Sequence, residues 1–382
     1  MAENGQHVNG TPSSNPAVVD GPPLLQPSSQ SHAISADEIA LYDRQIRLWG
    51  VKAQEKLRSA NILLIGMKAL ANEIAKNLVL AGIGALTILD DQVVTEDDLG
   101  SQFFISELHV GLNRAVAAIS QVRTLNPRVF LHADTDNILL KPPEFYAMFD
   151  MIIATDLDLA PLKIINSACR FVNKPFYAAG SHGFYGFIFA DLISHDYVIE
   201  REQSNVPTQL KVETVTRTVV ASNTKTENGK QIEMVTKREH YSPINLANTS
   251  PLQPEQISSW KRKLQVPPLL TCLRALWEFQ NLAGRSIPTG SREDLEFFTT
   301  LATEKHKELQ LPAETLRSEF LRSFLQNVGS EIAPVTAFLG GQLAQDVINV
   351  LGQREQPIQN FLLFDSDDSK GPVYALHPIF PT

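Results

Sequence analysis

The stretch NILLIG, from Asn61 to Gly66, is followed by KALANEIAKNLVLAGIG and then by ALTILDD. The first and third pieces are short apolar runs without polar alternation, the pattern of strands buried on both faces. Between them Leu70, Ile74, Leu78 and Ala81 fall on one helical stripe, with Gly82 and Gly84 at its end. Two such strands joined by a helix have one common solution, a parallel sheet covered by helices. The alternation continues through VFLHAD, MIIATD, the helical APLKIINSACRFVNK, PFYAAG and FIFADLI to about residue 193. The expected fold is therefore α/β, with a doubly wound, mainly parallel sheet and ligands beyond the carboxyl ends of its strands.

The segments on either side are of other kinds. Residues 1–33 are rich in Pro, Ser, Asn and Gly, and Glu3 and Asp20 are their only charged side chains. So few large apolar groups do not offset the entropy of ordering, so this is expected to be a disordered tail. It has the layout of neither a secretory signal nor a mitochondrial presequence. From ISADEIALYDRQIRLWGVKAQEKLRSA the pattern turns helical, with Ser35 as N-cap and Glu38 completing a capping box. After Glu200, QLKVETVTRTVV and KQIEMVTKREHY read as a hairpin around the polar ASNTKTENG, whose tip from Ser222 to Lys230 is expected to be mobile. Residues 252–328 look helical, and the last section restores a buried helix and two strands that return to the main sheet. The organisation expected is a tail (1–33), a core (34–199), a hairpin and helical insertion (200–328) and a returning C-terminal section (329–382).

A net charge of -9 argues against a nucleic-acid binder, which would carry a basic face. No apolar run is long enough to span a bilayer. Cys169 and Cys272 each stand alone in apolar, helical surroundings, which excludes a CxxC zinc or dithiol centre and fits small buried hydrophobes in a reducing compartment. His182, in GSHGFYG, has no orienting partner in sequence and marks a bend more than a catalytic base.

The loop after the first strand carries the functional question. A nucleotide site on this fold wants G-x-G-x-x-G there, because side chains obstruct the backbone's approach to phosphate. The sequence gives GMKALA: Gly66 is kept, but Lys68 and Ala71 occupy the second and third glycine positions. Either Lys68 binds phosphate as a point charge, or nucleotide binding has been lost and Lys68 is a solvated side chain. Asp90, 24 residues after Gly66, stands where a ribose-binding acid would.

Several longer motifs occur in order: YDRQIRLWG, ANEIAKNLVLAG, SQFF, VGLNRA, LNPRV and APVTAFLGGQLAQDVI. With them the chain resembles the ubiquitin-like-protein activating enzymes and their bacterial adenylating relatives. Within that family it looks most like the small regulatory subunits that assist SUMO activation. The likeness is strong over residues 36–195 and moderate over 330–368. Active members carry D-x-D and then S-N-L-N-R-Q-F, whereas this chain has Asp90, Gln92 and DDLGSQF, with Asp98, Gly100 and Ser101 in place of Asn, Asn and Arg. Arg114 replaces the lysine of V-G-x-x-K, and Asp156 falls near the metal-associated aspartate.

The resemblance implies a Rossmann-like adenylation fold in its inactive half, without its own catalytic cysteine or intact ATP site. Gly66, Lys68, Asp90, Arg114 and Asp156 would be a vestigial nucleotide site, with no metal held by this chain. Mg-ATP would be bound mainly by a partner, the large catalytic subunit of a heterodimeric SUMO-activating enzyme, and SUMO would be the second partner. No nucleic acid or membrane is implied. In this family the arginine of Y-x-R-Q-I reaches the opposite subunit's ATP; Arg44 matches it and Arg47 is the second candidate, with Leu48 and Trp49 holding the helix in place. The regulatory subunit for NEDD8, a self-sufficient adenylating homodimer and a nicotinamide-dependent oxidoreductase are the alternatives. The location implied is nuclear as well as cytoplasmic, with Lys237 and Arg238 as basic residues toward import.

Overall fold

The computed structural model describes residues 34–227 and 229–378. The expected tail over 1–33 lies outside the described residues. Three helices open the chain: α1 (Ala36–Leu41), α2 (Asp43–Trp49) and α3 (Val51–Ser59). The expected helical stretch is divided at Tyr42 and again at Gly50, whose φ of +84° is incompatible with a continuing right-handed helix. Ser35 and Glu38 form the expected capping box ahead of α1.

The core then alternates: β1 (Asn61–Ile65), α4 (Ala69–Ala81), β2 (Ala85–Leu89), α5 (Arg114–Leu125), β3 (Phe130–Asp134), α6 (Pro143–Tyr146), β4 (Met151–Thr155), α7 (Leu159–Phe171), β5 (Phe176–His182) and β6 (Tyr185–Asp191). After these come β7 (Ser194–Glu202), β8 (Arg217–Glu227) and β9 (Lys230–His240), then α8 (Ile244–Thr249), α9 (Pro254–Ile257), α10 (Trp260–Lys263), α11 (Leu269–Ala283), α12 (Arg292–Glu308) and α13 (Ser318–Asn327). The chain closes with α14 (Ala333–Gly352), β10 (Phe361–Asp365) and β11 (Val373–Tyr374).

One sheet has the order β11-β10-β6-β5-β4-β1-β2-β3, and β7, β9 and β8 form a separate antiparallel sheet. Strands β3, β2, β1, β4 and β5 run parallel, while β6, β10 and β11 continue the sheet antiparallel. From β1 the chain moves outward through β2 and β3, then returns to the other side of β1 with β4. The switch point, where ligands bind in such sheets, therefore lies at the carboxyl ends of β1 and β4. Strand β4 is buried along its whole length, and β1 from its second residue on, because one face packs on α4 and α14 and the other on α7 and α11.

One local expectation changes. The stretch from Ser222 read as a mobile tip is mostly ladder: β8 runs to Glu227, and Ser222 pairs with Val235 and donates its hydroxyl to Glu233 at 2.8 Å. Cross-strand partners decide pairing here, and polarity of the side chains does not prevent it. Lys237 and Arg238 are engaged by Glu213 and Asp196.

Candidate functional site

The loop between β1 and α4 begins at Gly66, with φ +87°; a Cβ there would stand 2.8 Å from the Thr155 carbonyl oxygen on β4. Only glycine brings the two strand ends this close. Lys68 then caps α4 from extended backbone, without a side-chain cap. The first turn of a helix leaves N–H groups that attract anions. Here they meet a carboxylate from the same chain. Glu331, just before α14, accepts the Ala69 N–H at 3.3 Å and the Ser101 hydroxyl at 2.7 Å. Ser101 occupies the position of the arginine expected in active members of the family, so a residue that would hold a phosphate instead holds Glu331.

Asp156 follows β4 and completes this cluster. Its φ of +53° is left-handed, a conformation aspartate tolerates. Oδ1 accepts the Ser181 N–H at 2.9 Å, while Oδ2 is shut off from solvent and has no hydrogen-bond partner. Desolvation, reinforced by the negative charge of Glu331 and opposed by Ser181 and Lys68, pushes its pKa up to about 7.

Asp90 and Arg114 sit beside this cluster but are turned to structural work. Both Asp90 oxygens are taken, by the N–H groups of Met67 and Gln92, each at 2.8 Å. Burial raises its pKa, against those hydrogen bonds and the Arg114 charge. Arg114 donates Nε to Asp98 at 3.2 Å and lies 3.8 Å from Asp90. The acid expected at a ribose is thus spent on bracing the loop, and the cation is neutralised by two carboxylates.

These residues do not fit a nucleotide. A phosphate at the α4 N-terminus would collide with Glu331 both sterically and electrostatically. Lys68 stands at a position where the phosphate loop wants glycine, and both Asp90 oxygens already accept N–H groups of the loop. Glu331 escaped the sequence reading because it lies 262 residues from Ala69 and 230 from Ser101, with no local pattern to link them.

Arg44 and Arg47 are elsewhere. Helix α2 is tied to the far end of α4: Gln45 donates to the Leu80 carbonyl at 3.2 Å, and the Tyr42 hydroxyl accepts from Asn126, which also holds Val79 O. Trp49 Nε1 donates to the buried Gln54 at 2.8 Å, and Gln54 in turn donates to Ala81 O at 2.9 Å. The anchors are therefore Tyr42 and Trp49. Leu48, expected to share that work, is 76% exposed. Arg47 pairs with Asp43 at 2.8 Å, whereas exposed Arg44 has no ion pair or hydrogen bond among the described residues. Since α4 has thirteen residues, it places Arg44 about 20 Å from the Gly66 loop, beyond the reach of its side chain.

The remaining candidates are inert. Cys169 and Cys272 are free and buried, and burial drives both thiols far above their ordinary range. Burial pushes the His182 pKa down to about 4, and its Nδ1 accepts only a long hydrogen bond from Gly329 N–H at 3.4 Å. Among the described residues no group of three or more His, Cys, Asp or Glu could hold a metal ion, and no helix is long and apolar enough to cross a membrane.

Against known proteins, residues 42–376 match the ThiF family. The chain belongs to the ThiF family. Its adenylating members use ATP with magnesium. The chain is 37% identical over 344 residues to the DNA damage tolerance protein RHC31 of Saccharomyces cerevisiae, covering 89% of this chain and 97% of that one. It is 35% identical to SUMO-activating enzyme subunit 1 of Xenopus tropicalis over 344 residues, 90% of this chain and 97% of the relative. To the Homo sapiens protein of the same name it is 33% identical over 359 residues, 93% of this chain and the whole of the relative. These likenesses do not favour the NEDD8, homodimeric or nicotinamide alternatives.

Proposed function

We propose that this chain is the non-thioester-forming subunit of a heterodimeric SUMO-activating enzyme, and that it supplies Arg44 to a nucleotide held by its partner. The large subunit binds Mg-ATP, the SUMO C-terminal glycine is adenylated there, and SUMO then passes to the partner's cysteine. The relatives named SUMO-activating enzyme subunit 1 support the pathway, and their designation as a subunit supports a partner chain.

The observation that carries the role of Arg44 is its position. An exposed guanidinium without a partner stands on an anchored helix, at the far end of α4 from a phosphate loop filled by Glu331. Its target is therefore on another molecule. Leu48, one turn along the same helix, is also uncovered, as expected of a face that a second subunit closes over. A cation fixed in this way stabilises the charge that develops on the phosphates as the carboxylate attacks and pyrophosphate leaves.

The test is single-turnover adenylate formation by the reconstituted heterodimer. Arg44→Ala is expected to leave folding and partner affinity intact and to slow the step by roughly tenfold to a thousandfold, the scale of one preorganised charge. Arg44→Lys recovers only part of the rate, because an ammonium lacks the planar fork. An unchanged adenylation rate in Arg44→Ala, at unchanged partner affinity, rules the arginine out.

A further inference from the structure

The chain contains three Lys-x-Glu sequences, at Lys211, Lys225 and Lys237. Two of these lysines are engaged: Lys225 with Glu200 at 3.2 Å and Lys237 with Glu213 at 2.7 Å. Lys211 is exposed, and its ammonium has no ion pair or hydrogen bond among the described residues. It is also the one of the three that follows an aliphatic residue, in the sequence Leu210-Lys211-Val212-Glu213.

The backbone bends at Lys211 and is pinned to the start of β8 around Val212. Val219 N–H donates to Lys211 O at 2.9 Å, Val212 bridges Thr218 antiparallel, and Glu213 N–H donates to Arg217 O at 2.9 Å. Leu210 and Val212 flank Lys211 and are 64% and 67% exposed, large apolar groups with little covering them. Lys211 itself has no such partner, and Glu213 is fixed by the Lys237 ammonium at 2.7 and 2.8 Å. An enzyme that reads extended peptides takes its specificity from alternate side chains set in fixed order. Aliphatic, lysine, any residue, acid is the order in which SUMO conjugation reads its substrates.

We propose that Lys211 is an acceptor site for the modifier that this enzyme activates, so that the complex is a substrate of its own pathway. The inference rests on the SUMO reading given above. In the step, the Lys211 Nζ, having released a proton to solvent, attacks the carbonyl carbon of the SUMO C-terminal glycine held as a thioester by a conjugating enzyme. The C–N bond forms, the C–S bond breaks, and the sulfur leaves as a thiolate while the nitrogen loses a second proton. No further reactant is needed, because ATP was consumed when the thioester was made. Val212 bridges Thr218 of β8, in the sheet that is separate from the one carrying α2 and α4, so modification is expected to leave adenylation intact.

The experiment uses the full heterodimer with Mg-ATP, SUMO and a SUMO-conjugating enzyme, and reads isopeptide-linked peptides by mass spectrometry. Modification is expected chiefly at Lys211. Lys211→Arg should reduce conjugation to this chain at least tenfold, and Leu210→Ser should reduce it severalfold. In both variants, thioester formation on the partner's cysteine should be unchanged. A bare Lys211 while a control substrate is conjugated, or unchanged conjugation in Lys211→Arg, overturns the inference and leaves the proposed function standing. Failure to form any SUMO thioester with the partner overturns that proposed function and the inference together.

Discussion

Asp156→Asn tests whether the filled phosphate loop carries an uncompensated charge. Asparagine keeps the acceptor for Ser181 N–H, tolerates the left-handed backbone at φ +53°, and removes only the ionisation. Asp156 has a pKa of about 7, against an ordinary value of 3.8. The folded state thus binds this proton more tightly than the unfolded chain. The stabilisation from that proton is complete below the unfolded pKa, is lost as pH rises, and is gone above about 7. A difference of about three units corresponds to about 4 kcal/mol at most. The residue keeps some exposure although Oδ2 has none, so about 2 to 4 kcal/mol is the expected range. Urea unfolding of both proteins should give nearly equal stability at about pH 3, below the unfolded pKa, and an advantage for Asp156→Asn that grows from there through pH 7 and then levels off. The difference between the two removes the contribution of every other titrating group. A difference independent of pH, or a variant less stable at pH 8, refutes the reasoning.

Glu331→Ala should cost about 1 kcal/mol by uncapping α4, as for the loss of an N-cap, and thermal unfolding measures it. In the same background the pH midpoint of the Asp156→Asn effect should move downward, because the Glu331 charge that raises the Asp156 pKa is gone. Arg47→Ala should slow adenylation far less than Arg44→Ala, because Asp43 already neutralises Arg47; single-turnover rates on the two variants compare them directly. Gln54→Ala should cost about 1 to 3 kcal/mol in urea unfolding, by leaving Ala81 O and the Trp49 indole N–H without their partner.

The elements that carry the site were readable because their signals are local. NILLIG and ALTILDD became β1 and β2, the stripe of Leu70, Ile74 and Leu78 became the buried face of α4, and Gly66 sits at the turn that demands it. Asp90 and Asp156 stand at strand ends because sheet periodicity put them there. What was not readable depends on partners distant in sequence. Glu331 acts on Ala69 only after α14 has packed on α4. The polar stretch from Ser222 pairs because β9 offers a matching ladder, and side-chain composition says nothing of that. Leu48 and Trp49 are neighbours with equal apolar character, and only the meeting of Trp49 with Gln54 decides which of them anchors α2.

On the proposed function, this chain has given up nucleotide chemistry at its own site and serves a site on its partner. ATP–pyrophosphate exchange in the presence of SUMO measures this directly, with the full-length chain alone, the partner alone and the two together. No SUMO-dependent exchange is expected from this chain alone, strong exchange from the pair, and loss of most of that exchange when the pair carries Arg44→Ala. SUMO-dependent exchange by this chain without its partner would contradict the proposed function.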